Sequence, residues 1–411
     1  MLKMKGTYIG AEQALNSVLN FALPVALAAL EGTEVAAQYF LLMAAVNLAL
    51  TIFRGLVTTP IPFLEKNKAF PDYRKRAGEW AIVLFLAYIV CVFLWCLSAD
   101  ETNFLSALKY TLLSIFLYSK EALRSLLLAF GDWGFALVST LFVSAFCIIG
   151  VIARLSGVFD SYFDFLIFGS IMSLLLYAFF SYRKNTIPSN ILGVCDQVSL
   201  HMLKSHFQYG KFSLMNNFSQ AMVIFLVYRE LASTGPGEVA LFGALYSLVN
   251  AASPFFQALN TYLSRRLVVV SGSVRQSINI LLQSSVGVLI FSMVYSFSFF
   301  ITGAYFFDIF YPDLSPVTDA MCFVFALAFS IQGIGYPASR LLVANGRPSV
   351  VFESGMIFCT AVAFAIYVGD LNTEVFTVAC LITAGRLLST VYVAGRASHY
   401  LFERRRLLKS Q

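Results

Sequence analysis

Apolar stretches of roughly 18 to 25 residues recur from one end of the chain to the other, divided by short polar or basic breaks. That length matches the hydrocarbon thickness of a bilayer and is too long and too frequent for the core helices of a soluble domain. The pattern predicts an all-α polytopic membrane protein of about twelve spans, at residues 7–30, 35–59, 79–98, 104–129, 134–154, 161–181, 208–231, 238–263, 277–300, 316–344, 348–369 and 374–395. The opening MLKMKGTYIGAEQALNSVLN carries basic residues, then a polar-studded helix without a small-residue cleavage site, so the first span is expected to be retained.

Composition narrows this further. Of the 411 residues 59% are hydrophobic and 12% charged, and the mean hydropathy is +0.78. Soluble domains are about half apolar and about a quarter charged. Lys and Arg collect in alternate loops: Lys3 and Lys5, Lys66 to Arg76, Arg183 to Lys211, Arg265 to Arg275, Arg347, and Arg396 to Lys409. The opposite loops hold none, with Arg154 and Arg229 at their edges, and are short and acidic (Glu31, Glu34, Asp100, Glu101, Asp160, Asp313, Asp370). By the positive-inside rule both termini are cytoplasmic and the span number is even. Loops this short leave no room for an extramembrane catalytic domain.

The seven cysteines lack CxxC spacing and read as packing residues, and His201, His206 and His399 lie outside the spans, so neither disulfide nor metal site is expected. No cofactor and no nucleic-acid partner is indicated.

The basic segment 182–207 divides the chain into a six-span lobe at 1–181 and another at 208–396, with a basic tail at 397–411. A constant shift of 204 aligns Gly6 with Gly210, Tyr8 with Phe212, Phe21 with Phe225, Glu34-Val35-Ala36 with Glu238-Val239-Ala240, and Leu41 with Leu245. A shift of 215 sets LLLAFG (126–131) on LLVANG (341–346). Six spans per repeat make the repeats parallel, related by an axis along the membrane normal, an arrangement suited to alternating access. Resemblance by apolar composition alone is the competing explanation.

Within the spans the polar exceptions are few. Glu12, Gln13, Asn16 and Asn20 form a stripe on the first helix, Asn20 lying within about 80° of Glu12. At the shift of 204 the seventh span places Asn216, Asn217 and Gln220 at the offsets of Glu12, Gln13 and Asn16. Such residues line cavities or glue helices together by hydrogen bonds. Arg54, Lys120, Arg124, Arg340 and Arg386 lie in the spans toward one side, where guanidinium groups suit a diphosphate or snorkel to headgroups. Glu12 lies at a depth similar to Arg54 and is expected to pair with it. The in-span carboxylates, chiefly Glu12, Glu121 and Glu353, are fewer than the cations, which favours an anionic substrate.

The chain resembles the MATE-like exporter superfamily, in particular its bacterial O-antigen and polysaccharide flippases. The resemblance rests on AEQALNSVLNFALPVALAALEGTEVAAQYFLLMAAVNLALTIFRGLVTTPIPFL, on YGKFSLMNNFSQAMVIFLVYRELASTGPGEVALFGALYSLVNAASPFFQALNTYLSRRL and on FFDIFYPDLSP. It implies two six-helix lobes in a V and a transporter of the cytoplasmic membrane that flips an undecaprenyl-diphosphate-linked oligosaccharide between leaflets without making or breaking a bond. The substrate-binding set would be Glu12, Asn16, Arg54, Lys120, Arg124, Asn216, Gln220, Arg340 and Arg386. Partners would be the lipid-linked oligosaccharide, membrane lipids, and polysaccharide polymerase and chain-length machinery. At 411 residues there is no room for the two extra C-terminal spans common in lipid II flippases. A cation-coupled drug or metabolite antiporter using Glu12 or Glu353, and a non-transporting scaffold, stand as alternatives.

Overall fold

A computed structural model describes residues 2–61, 73–97, 104–183, 200–250, 273–314, 316–368 and 374–410, together with isolated positions between 255 and 270. Residues 62–72 and 98–103, most of residues 182–207 and of the stretch 251–272, and residues 369–373 lie outside them, as do Lys66, Cys195 and Arg265. The described residues are helical almost throughout. This is what a bilayer imposes, since a span must satisfy its own backbone hydrogen bonds.

The helices are α1 (Leu2–Glu31), α2 (Thr33–Phe53), α3 (Tyr73–Leu97), α4 (Phe104–Ala129), α5 (Trp133–Leu155), α6 (Tyr162–Arg183), α7 (Leu200–Thr234), α8 (Pro236–Val249), α9 (Val274–Phe310), α10 (Asp319–Ile334), α11 (Tyr336–Ala344), α12 (Pro348–Val368) and α13 (Val375–Ser410). Eight stretches among the described residues are long and apolar enough to cross a membrane, with α10 and α11 together forming one of them. Large apolar side chains stand outward along α3, α5, α9 and α13, among them Leu86, Ile149, Met293 and Val391. An outward apolar surface of this extent needs lipid, not water, as its solvent.

Three elements depart from the expected spans. Helix α2 gives way at Arg54–Thr58 to a π-turn, in which Thr59 N donates to Arg54 O at 2.9 Å. Helix α9 runs 37 residues, about 55 Å, so residues 301–310 are helical and not loop. Helix α13 continues without a break to Ser410, carrying the basic tail as a helical extension. That extension is held by packing. Ala397 is buried in a cluster with Leu341 and Val350, and Arg404 Nη1 donates to Asn345 Oδ1 at 2.9 Å.

The two sequence repeats coincide with equivalent joints. Single glycines join α1 to α2 and α7 to α8, Gly32 and Gly235, one residue off the shift of 204. At the shift of 215, Phe130, Gly131 and Asp132 donate backbone N–H groups to Leu126, Leu128 and Leu127, and Asn345, Gly346 and Arg347 donate to Leu341, Val343 and Leu342. Both turns place their glycine at φ 75°, a left-handed C-terminal stop that a side chain would strain. Spatially the chain forms two compact units, Met1–Ala221 and Met222–Gln411, with the division inside α7.

In the first unit α4 is central, packing against α2, α3, α5 and α6, while α1 packs on α2 and α5. Its buried residues include Thr111, Ser114, Ser119, Lys120, Glu121 and Arg124. In the second unit α10 lies against α8, α9 and α13, and α12 against α13. Helix α9 and α10 approach closely at Gly303, beside Cys322, and Asp319 Oδ1 accepts from Ala304 N at 3.0 Å.

Candidate functional site

The polar stripe of α1 meets the charged face of α4. Glu12, Asn16 and Asn20 repeat every four residues on α1, and Lys120, Glu121, Arg124 and Ser125 lie within two turns of α4. The antiparallel packing of the two faces pairs Glu12 with Arg124 and Asn20 with Lys120. Arg124 is bidentate, its Nε donating to Glu12 Oε1 and its Nη2 to Glu12 Oε2 at 3.2 Å. Lys120 Nζ donates to Asn20 Oδ1 at 3.0 Å. From α5, Thr140 Oγ1 lies 3.2 Å from Glu12 Oε1 and 3.0 Å from the Ala136 carbonyl.

Glu121 is the second anion of this cluster. It receives Arg124 Nη1 at 3.3 Å on Oε2 and stands 3.5 Å from Lys120 through Oε1. Arg54, at the head of the π-turn of α2, donates Nη2 to Glu121 Oε2 at 3.4 Å and Nε to Ser125 Oγ at 3.3 Å. The expected Arg54–Glu12 pair is thus replaced by Arg54–Glu121, because Arg124 reaches Glu12 from the neighbouring helix and occupies both its oxygens. Glu121, absent from the expected set, is the hub. Its sequence signals are its place within a span, where carboxylates are few, and its basic neighbours in KEALR.

Three cations and two carboxylates leave the cluster with a formal excess of one positive charge. Glu12 is fully buried, and Lys120, Glu121 and Arg124 are each less than a tenth exposed, whereas the Arg54 side chain is 36% exposed. Arg54 is the member through which the cluster meets its surroundings. Asn16, 7% exposed between the Glu12 and Asn20 contacts, makes no hydrogen bond among the described residues.

The matching residues of α7 are arranged differently. Gln220 Nε2 donates to Asn216 Oδ1, Asn216 Nδ2 to Asn217 Oδ1, and Asn217 Nδ2 to Ser213 Oγ, all at 3.4 Å, a ladder along one helix. Arg340 and Arg386 belong to the second unit. Arg386 on α13 is 8% exposed, donates Nη1 to the Ala328 carbonyl at 3.1 Å and lies over the rings of Phe329 and Phe358. Glu353, the other in-span carboxylate, accepts from the Tyr392 hydroxyl.

No protein-family model matches the chain, and no curated protein sequence matches it. Solved structures do. An inward-facing multidrug resistance MATE family transporter of the MOP superfamily superposes with a TM-score of 0.68 at 11% identity, covering 98% of this chain and 96% of that one. The lipid II flippase MurJ, in its inward closed conformation, gives 0.65 at 16% identity over 96% of this chain and 86% of that one. A Vibrio cholerae MATE transporter gives 0.63 at 13% identity over 98% of both chains. Likeness along almost the whole length at such low identity is likeness of fold, and this chain is therefore an all-helical, multi-pass membrane protein with the fold shared by the MATE transporters and MurJ.

Proposed function

We propose that the chain is a flippase that carries an undecaprenyl-diphosphate-linked oligosaccharide, an O-antigen or other surface polysaccharide unit, from the inner to the outer leaflet of a bacterial cytoplasmic membrane. The observation that carries this reading is the buried cluster of Arg54, Lys120, Arg124, Glu12 and Glu121, with its positive excess and the buried Asn16 beside it. Arg340 and Arg386 add two further cations in the second unit. A diphosphate is drawn to such fixed guanidinium groups by charge-assisted hydrogen bonds, and amides such as Asn16, Asn216 and Gln220 suit sugar hydroxyls. No bond is made or broken, so the chain acts as a transporter and not an enzyme.

In this reading the lobes are residues 1–181 and 208–396, and the basic linker, tail and termini face the cytoplasm, as the Lys and Arg asymmetry favours. Polysaccharide polymerase and chain-length machinery are the proposed partners on the far side of the step.

The deciding experiment reconstitutes the full chain in liposomes holding a fluorescent undecaprenyl-diphosphate oligosaccharide in both leaflets, with a membrane-impermeant quencher outside. Quenching beyond the outer half is expected, and quenching that stops at the outer half overturns the proposal. A second reading, a cation-coupled antiporter of the same fold, is favoured by Glu12, a fully buried carboxylate whose protonation would release Arg124. Gradient-driven efflux of cationic drugs from the same liposomes, without movement of the lipid, would select it.

A further inference from the structure

The span made of α10 and α11 is broken at Gly335, whereas α13 runs unbroken along both pieces. Thr383, Arg386, Thr390, Val393 and Ala397 follow one another on α13 at intervals of three and four residues, which puts them on one seam. The first three donate from their side chains to main-chain carbonyls of α10. Thr383 Oγ1 reaches Val324 at 3.2 Å, Arg386 Nη1 reaches Ala328 at 3.1 Å, and Thr390 Oγ1 reaches Ile331 at 3.1 Å. The last two share a buried cluster with Ala338, Leu341 and Leu342 of α11. Thr390 stands where the seam passes from one piece to the other.

The break explains why a donor is needed there. In a continuous helix the Gly335 N–H would donate to the Ile331 carbonyl. Here it turns to the Gln332 carbonyl at 3.2 Å, and Pro337, buried in the first turn of α11, has no N–H with which to rejoin the two pieces. The Ile331 carbonyl thus loses its regular partner inside a span, where an unpaired carbonyl is costly, and Thr390 replaces it. A Cβ on Gly335 would lie 3.2 Å from Thr390 Oγ1, so the hydroxyl rests against the joint itself.

Helix α11 is nine residues long and carries Arg340 five positions beyond Gly335. Ser339 Oγ donates back to the Gly335 carbonyl at 2.9 Å and ties this turn to the joint. The direction in which so short a helix leaves the joint fixes where Arg340 stands. We infer that Thr390 is a positioning residue for Arg340: by capping the Ile331 carbonyl it sets the angle at which α11 leaves α10, and α13 acts as a splint across the break. That Arg340 meets a lipid diphosphate rests on the function proposed above. The cap on the joint does not.

The test uses the full-length chain in phosphatidylcholine nanodiscs, with two readouts: ligand-free hydrogen exchange at the amides of residues 335–342, and equilibrium binding of undecaprenyl diphosphate. Thr390→Val keeps the side-chain shape and removes the donor, and Thr390→Ser keeps the donor. The Val variant is expected to speed exchange at the joint and to weaken binding, each about three- to tenfold, the worth of one neutral hydrogen bond. The Ser variant should restore both, and Thr390→Ala takes the place of the Val variant if that one fails to fold. Arg340→Gln should weaken binding, and adding Thr390→Val to it should weaken binding no further, because a positioning residue has nothing left to place.

Unchanged exchange in Thr390→Val overturns the cap. Binding losses that add to those of Arg340→Gln overturn the positioning role and leave the flippase reading standing. Full binding by Arg340→Gln takes Arg340 out of the ligand path, and the positioning role falls with it. If the unsubstituted chain does not bind undecaprenyl diphosphate, the flippase reading falls, and exchange at the joint alone decides for or against the cap.

Discussion

Arg124 on α4 holds Glu12 on α1 through both carboxylate oxygens, and Glu12 has no other cation within ion-pair distance among the described residues. Arg124, by contrast, has a second anion in Glu121. This asymmetry sets the outcome of substitution. Arg124→Leu strands a fully buried carboxylate with only Thr140 beside it and should lower stability by about 3–5 kcal/mol. Glu12→Gln leaves Arg124 paired with Glu121 and should be milder. The double variant Glu12→Leu with Arg124→Leu should recover most of the loss. Thermal unfolding in detergent, arranged as a double-mutant cycle, measures this, and additive losses would show that the two side chains are not coupled.

Arg54 separates binding from stability. Its side chain is 36% exposed, and its partner Glu121 keeps Lys120 and Arg124 when Arg54 is removed. Arg54→Ala should therefore lower stability by no more than about 1 kcal/mol while sharply reducing flipping in the liposome assay. Unaltered flipping by a well-folded Arg54→Ala protein would remove Arg54 from the substrate path.

Backbone proximity fixes Gly210 and leaves Gly287 free to change. A Cβ on Gly210 would lie 2.1 Å from the Gly55 carbonyl oxygen, in the segment where α2 becomes a π-turn beside Arg54. Because the obstacle is backbone, Gly210→Ala should lower stability by about 1–3 kcal/mol. Gly287 on α9 faces open space, and Gly287→Ala should be neutral or raise stability by about 0.5–1 kcal/mol. Comparing the thermal midpoints of the two variants checks both.

The paired turns give a test of the repeat. Gly131 and Gly346 share φ 75° and the same three backbone hydrogen bonds. Alanine at either position should lower stability by about 1–2 kcal/mol, and by similar amounts. A loss confined to one of them would mean that the turns are alike in shape but not in what they support.

The sequence by itself determined the helices, because a bilayer leaves the chain no other way to satisfy its backbone, and length and apolarity then locate each span. It also carried the repeat. Glycine in LLLAFG and LLVANG marks a conformation that only the backbone needs, so the mark survives where the apolar residues around it are interchangeable. Spacing along α1 likewise showed which polar residues share a face. What spacing could not decide was which faces meet. Whether Glu12 takes Arg54 or Arg124 depends on how α1, α2 and α4 rotate and cross, and that is set by the packing of many apolar side chains at once. The same holds for Glu121 as the hub, for Arg386 without a carboxylate, and for α13 continuing past the membrane onto the α11–α12 turn. Charges that looked alike in the sequence became, through tertiary packing, a nearly neutral cluster in one unit and, in the other, a buried guanidinium held by a backbone carbonyl and two aromatic rings.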